Sequence, residues 1–144
     1  MKFFTLLLII YLLSGCDPER STIYSTKDCL EKYQPGNIAA IVSSPEKYDH
    51  SYVEITGFYY WGVEQTSLSN ARVSKYKSSL LWVDFNSSLI DSLENNNIHN
   101  ENIFKNLTGR RIKIRGRIDS KDRGHLDQYG ATIKNVCYLE VYKW

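Results

Sequence analysis

Arg111, Lys113, Arg115 and Arg117 recur at every second position of one apolar-alternating segment. In a β-strand alternate side chains share a face about 6.6–6.8 Å apart, so these cations would line up over roughly 20 Å. A stripe of this kind can bind an anion: a phosphate, a lipid headgroup, an acidic glycan or an acidic protein patch. The competing reading is a solvated edge strand, where positive charge discourages edge-to-edge pairing; cross-strand carboxylates such as Glu54 can also neutralise it. The second pointed feature is the run Phe58-Tyr59-Tyr60-Trp61. Phe58 and Tyr60 lie opposite the face of Val53 and Ile55, which makes them candidate contact residues if that face is displayed. His125 and Asp127 stand two apart in a glycine-bearing loop. Without a second catalytic partner they make a weak acid–base pair. No nucleophile elbow, phosphate loop or HExxH motif occurs, so an enzyme is not expected. The histidines are scattered and no cysteine has metal-ligand spacing, so neither a metal nor a cofactor is expected.

The elements that must position these residues begin after a distinct N-terminal segment. Lys2 precedes an apolar run from Phe3 to Leu13. Eleven residues at about 1.5 Å each are too few for a hydrocarbon core of roughly 30 Å, and the run has the length of a signal-peptide core. Leu13-Ser14-Gly15-Cys16 then resembles the lipobox of bacterial lipoproteins. That resemblance implies cleavage before Cys16, acylation of its sulfur and stable membrane attachment through two or three acyl chains. Asp17 resembles the signal that retains a Gram-negative lipoprotein at the inner membrane, facing the periplasm. The expected organisation is a signal peptide over 1–15, a lipidated cysteine and tether over 16–36, and one domain over 37–144.

With Cys16 assigned to the lipid, Cys29 and Cys137 remain. An exported compartment permits a disulfide between them; two separate buried thiols are the other reading. Loss of Lys2 leaves 17 basic against 16 acidic residues. That balance, with an envelope location, gives no reason to expect a nucleic-acid partner. A hydrophobic fraction of 42% and a charged fraction of 24% are ordinary for a globular chain and exclude a disordered one.

Along the domain the apolar pattern predicts a short helix over 37–42, ending before Pro45. Strands follow over 51–61, weakly within 65–74, and over 80–85. Helical anchors occupy 87–107, broken near Asn95-Asn96-Asn97. Further strands are expected over 110–118 and 130–142, the latter bulged near Asn135-Val136-Cys137. Gly57 in mid-strand predicts a bulge or sharp bend. The order is that of an OB-fold: mainly β with helices (α+β), a five-stranded Greek-key barrel with a helical segment between its third and fourth strands and a short N-terminal helix. A curved antiparallel α+β sheet is the alternative.

Pro45-Glu46-Lys47-Tyr48-Asp49 leading into Val53-Glu54-Ile55-Thr56-Gly57-Phe58 is similar to a bacterial group of small OB-fold-like proteins. So are Leu81-Trp82-Val83-Asp84, Leu107-Thr108-Gly109-Arg110, and Gly124-His125-Leu126 leading to Gly130-Ala131-Thr132-Ile133-Lys134-Asn135-Val136. The resemblance spans most of 38–139 and is mainly framework, so it implies the fold and no activity. The basic 110–118 strand departs from it. The expected function is a non-enzymatic, lipid-anchored binding module whose partner is an envelope or effector protein, as for an immunity or inhibitor lipoprotein. Binding of an anionic glycan or lipid headgroup by the basic stripe is the alternative, and a nucleic-acid-binding OB domain a minor one.

Overall fold

A computed structural model of the chain describes residues 21–29, 32–94 and 100–143. Cys16 and Asp17, with the whole signal segment, lie outside the described residues. Among the described residues no helix is long and apolar enough to cross a membrane.

In the strand Tyr52–Gly62 (β3), Val53, Ile55 and Tyr59 are buried while Glu54, Thr56, Phe58 and Tyr60 are half-exposed. The strand Arg111–Asp119 (β6) repeats this rule, with Ile112, Ile114 and Ile118 wholly buried. Period-two patterning with one apolar face demands a sheet whose inner face meets a core. The remaining barrel strands are Gln65–Ser69 (β4), Leu81–Phe85 (β5) and Ala131–Val141 (β7). β3 pairs with β4, β4 with β5, β5 in parallel with β7, β7 with β6, and β6 with β3. The ring closes with five strands and encloses Ile55, Tyr59, Leu68, Leu81, Val83, Ile114, Ile133 and Leu139. A closed barrel of few helices is what the strand order led us to expect, and it is consistent with an OB-like barrel.

Among the described residues three short α-helices complete the body. Ile38–Ser43 (α1) is capped by Asn37, whose Oδ1 accepts from the Ala40 amide at 3.0 Å, and it buries Ile38 and Ile41. Ser87–Glu94 (α2) and Asn100–Leu107 (α3) follow β5 in the chain and add Leu89, Leu93, Ile103 and Leu107 to the same core.

Three expectations are corrected. First, the described part of the 16–36 tether is not free chain. Thr22–Ser25 (β1) pairs antiparallel with the end of β7, and Gln34–Gly36 (β2) runs parallel to β3 at Val53–Ile55. Both strands are mostly exposed, so they carry little apolar patterning to read; their pairing rests on backbone hydrogen bonds. Second, of the bulge or sharp bend expected at Gly57 the bulge is absent: the ladder with β6 runs unshifted through Gly57, and the ladder with β4 begins at Phe58. Third, β6 is not an edge strand, being paired on both flanks. The weak strand expected within 65–74 is present as Gln65–Ser69. The bulge expected near 135–137 is present. The register of β7 against β6 shifts between Arg115 and Arg117, and Asn135 adopts φ 53°. Cys29 and Cys137 form a disulfide, with Cα atoms 5.4 Å apart and 108 residues of sequence separation.

An ion cluster fastens the loop after β6. Lys134 Nζ lies 3.0 Å from Asp119 and 2.8 Å from Asp122. The Asp119 carboxyl is held below its ordinary value by the Asp122 amide and by Lys134. At Asp122 burial pushes upward, but Lys134 and the Gly124 amide outweigh it. Asp49 is lowered by the Ser120 amide, which donates to it at 2.9 Å. Carboxyls lowered by folding stabilise the native state above their unfolded values and lose that contribution as pH falls through the lowered ones. The melting temperature should therefore hold from pH 7 to about pH 5 and fall below about pH 4, the unfolded carboxylate range. Lys134→Met should flatten that fall, as thermal melts across pH would show.

Candidate functional site

β4 and β5 pair over two residue pairs only, Ser67 with Trp82 and Leu68 with Leu81. Continuing the ladder would set Thr66 opposite Val83 and Gln65 opposite Asp84, but the strands part there. The gap opens a groove of about 260 Å³ at the barrel rim, lined by Tyr59, Trp61, Thr66, Trp82, Val83, Asp84, Phe85, Ile90 and Phe104. Residues that alternate inward along β3 and β5 emerge where the barrel ends, which brings Trp61 and Phe85 into the groove beside the outward-facing Trp82 and Asp84.

Its walls are fixed by aromatic contacts. Phe85 and Phe104 have ring centroids 5.0 Å apart, and Tyr59 meets Phe85 edge-on at 5.9 Å. The Tyr59 hydroxyl is 3.0 Å from Thr66 Oγ1, and burial pushes its pKa well above the ordinary phenol value. The Trp61 amide donates to Thr108 Oγ1 at 3.1 Å, which ties the end of β3 to the end of α3. Trp82 stands edge-on to buried Tyr129 at 5.0 Å. Its other support is Gly124, with φ 64°, where a Cβ would lie 2.7 Å from the indole. Only glycine gives both that backbone conformation and that approach.

Two loops flank the groove, and a side-chain contact joins them. Glu64, in the turn after β3, lies 3.1 Å from His125 Nε2 in the loop after β6. Val63 and Leu126, each next to one member of this pair, are 95% and 72% exposed. Glu64, Leu126 and Asp127 all hold positive φ, at 54°, 54° and 56°. Non-glycine residues in that region are uncommon and concentrate where structure serves a purpose other than stability. His125 is thus paired with Glu64, and no hydrogen bond joins it to Asp127 among the described residues.

The basic stripe has another fate. Arg115 Nε donates to Glu54 at 2.7 Å, and its guanidinium sits 4.2 Å from the Tyr138 ring centroid. Lys113 reaches Glu140 at 3.3 Å and Glu54 at 3.9 Å. Burial would lower the Lys113 pKa, but Tyr142 and Glu140 raise it above its ordinary value. Arg111 lies over the Tyr142 ring at 5.5 Å. Arg117 Nε is buried without a hydrogen-bond partner among the described residues. Two of the four cations are therefore matched by carboxylates on neighbouring strands, as the Glu54 reading allowed.

Phe58 and Tyr60 face outward as expected, yet neither enters the groove. Arg72 lies over the Phe58 ring at 5.4 Å, and the Tyr60 hydroxyl donates to the Arg72 carbonyl. Sequence reasoning missed Trp61, Trp82 and Asp84 as site residues. The available signal was the spacing of two tryptophans on strands that neighbour β4, but it means nothing until the ladder is known to break.

Fold and groove together define a class: a small closed β-barrel with an aromatic groove at its rim, between two joined loops. Comparison with protein-family models, with curated proteins and with solved structures gave no match for this chain.

Proposed function

We propose that this protein is a non-enzymatic binding module, anchored by lipid at Cys16 in a bacterial envelope, and that it holds another protein through the rim groove. The barrel is proposed to be an OB-fold with a Greek-key path and its helical segment between the third and fourth barrel strands. The observation that carries the binding reading is the groove itself. At about 260 Å³ it is smaller than the roughly 300–1,000 Å³ usual for small-molecule sites, and it suits one or two anchoring side chains of a protein. Aromatic walls beside exposed apolar loop tips are the composition of interface hot spots. An inhibitor or immunity lipoprotein, tethered where its target acts, is the concrete form of this reading. Leu13-Ser14-Gly15-Cys16 supports the anchor, Asp17 supports inner-membrane retention in a Gram-negative cell, and the Cys29–Cys137 disulfide suits an oxidising compartment. The carboxylates on Lys113 and Arg115 take charge from the stripe that the glycan or headgroup alternative needs.

Affinity capture from detergent-solubilised envelope, with the full chain as bait, tests the reading. One protein should be recovered near stoichiometry. Trp61→Ala should reduce its retention about 30-fold, the effect of losing a hot-spot residue worth about 2 kcal/mol. Equal recovery by both baits would reject the groove as the contact. A Cys16→Ser chain that fractionates like the parent would reject the anchor.

A further inference from the structure

Asp84 differs from every other residue that lines the groove: it alone is charged. Among the described residues its carboxylate makes no hydrogen bond and no ion pair. Lys134, whose charge reaches it, is engaged by Asp119 and Asp122 at 3.0 and 2.8 Å. An unmatched carboxylate thus stands at the rim of an aromatic-walled groove, where Trp61 and Trp82 expose indole surface.

We infer that the groove takes an arginine side chain of the partner protein, its guanidinium laid against the indole surface and hydrogen-bonded to the Asp84 carboxylate. The inference rests on the binding reading above and names the chemistry of its occupant. Charge complementarity argues for it. Indole faces attract cations, and tryptophan does so best of the aromatic side chains. A carboxylate fits the guanidinium fork with two parallel hydrogen bonds, and arginine stacks on aromatic planes where the compact, strongly hydrated lysine ammonium does not. A purely apolar occupant would leave Asp84 covered and unpaired, which is unfavourable.

Asp84 is exposed on β5, so its carboxylate is open to an occupant of the groove. The partial burial that remains raises its carboxyl above the ordinary value, while Lys134 pulls it down and Asp122 adds to the rise.

The test uses the full chain labelled with ¹⁵N and follows the indole N–H signals of Trp61 and Trp82. The probe is the peptide acetyl-Gly-Gly-Arg-Gly-Gly-amide, with glutamine in place of arginine as the control. The arginine peptide should shift both indole signals saturably, and raised salt should weaken the effect. The glutamine peptide should bind at least tenfold more weakly. Asp84→Asn keeps the side-chain shape, should melt no lower than the parent at pH 7, and should lose the preference for arginine. Equal response to the two peptides, no response to either, or an unchanged preference in Asp84→Asn would overturn the inference. The envelope capture separates its failure from that of the binding reading. A partner lost by Trp61→Ala but retained by Asp84→Asn leaves the groove in place and removes the arginine. A partner retained by both variants removes both.

Discussion

Replacing Cys29 with Ser and Cys137 with Ala should destabilise the protein by about 3–5 kcal/mol, the largest single effect expected here. The bond joins residues 108 apart, so without it the unfolded chain regains the freedom of a loop that long. The chain-entropy argument gives about 4.7 kcal/mol for a 100-residue loop, and native strain or residual structure in the unfolded chain usually reduces this. For a domain of this size the melting temperature should fall by about 10–20 °C. The loss should also be local. Cys137 is 3% exposed and lies just before the part of β7 that holds β1. The Thr26 amide donates to the Cys137 carbonyl at 3.0 Å, and the Tyr33 hydroxyl donates to its sulfur at 3.3 Å. β1 is otherwise an exposed four-residue strand. Hydrogen exchange of amides 22–26 should accelerate in the double variant well before the amides of β3 or β6 respond. Uniform acceleration over the barrel would show that β1 is no separate unit. An unchanged melting temperature would remove the structural role of the bond altogether.

Gly57→Ala should cost about 2–3 kcal/mol although it adds one methyl group. A Cβ at Gly57 would lie 2.7 Å from the Ser69 carbonyl oxygen, 2.7 Å from Ile38 Cδ1 and 2.8 Å from Leu68 Cγ. The first of these is backbone and cannot swing aside. β3 pairs with β6 through Phe58 and with β4 from Phe58 onward, so Gly57 sits where the strand is gripped from both sides as it coils. Chemical denaturation should show a lower midpoint with an unchanged slope, the sign of lost stability without a changed fold. A midpoint within experimental error of the parent would mean that β3 and β4 separate at little cost, and would weaken the account of a tightly closed barrel.

Gly57 also marks where reading the chain stops. A glycine inside an alternating strand announces that something comes close, but its neighbours in sequence do not say what. A bulge or a sharp bend was the expectation; the structure has an unshifted ladder with β6 and a backbone carbonyl against the glycine. The same limit applies to β1 and β2. Exposed strands of four and three residues have no buried face, so they leave no periodicity to detect. The bulge at Asn135 was legible because β7 has a buried face on which the alternation visibly slips.

The basic stripe was legible as four cations on one face, and Glu54 was identified as a residue able to neutralise it. Register alone decided the matter, since it puts Glu54 opposite Arg115 and Glu140 opposite Lys113. The groove was not legible. It joins Trp61, Thr66, Trp82, Asp84, Ile90 and Phe104 from five elements, and it exists because β4 and β5 stop pairing.

The sequence by itself determined the inward faces of β3 and β6, the short helix after Pro35-Gly36, the slip in β7 and the candidate pairing of Cys29 with Cys137. Each of these is set by local spacing or by counting. Tertiary structure decided that the ring closes, that β6 lies inside it with part of its charge matched, and that Asp84, its carboxylate unpaired among the described residues, stands beside Trp61 and Trp82. Those features depend on which distant residues come to lie next to each other, and burial, pairing and charge compensation act through space whatever the separation along the chain.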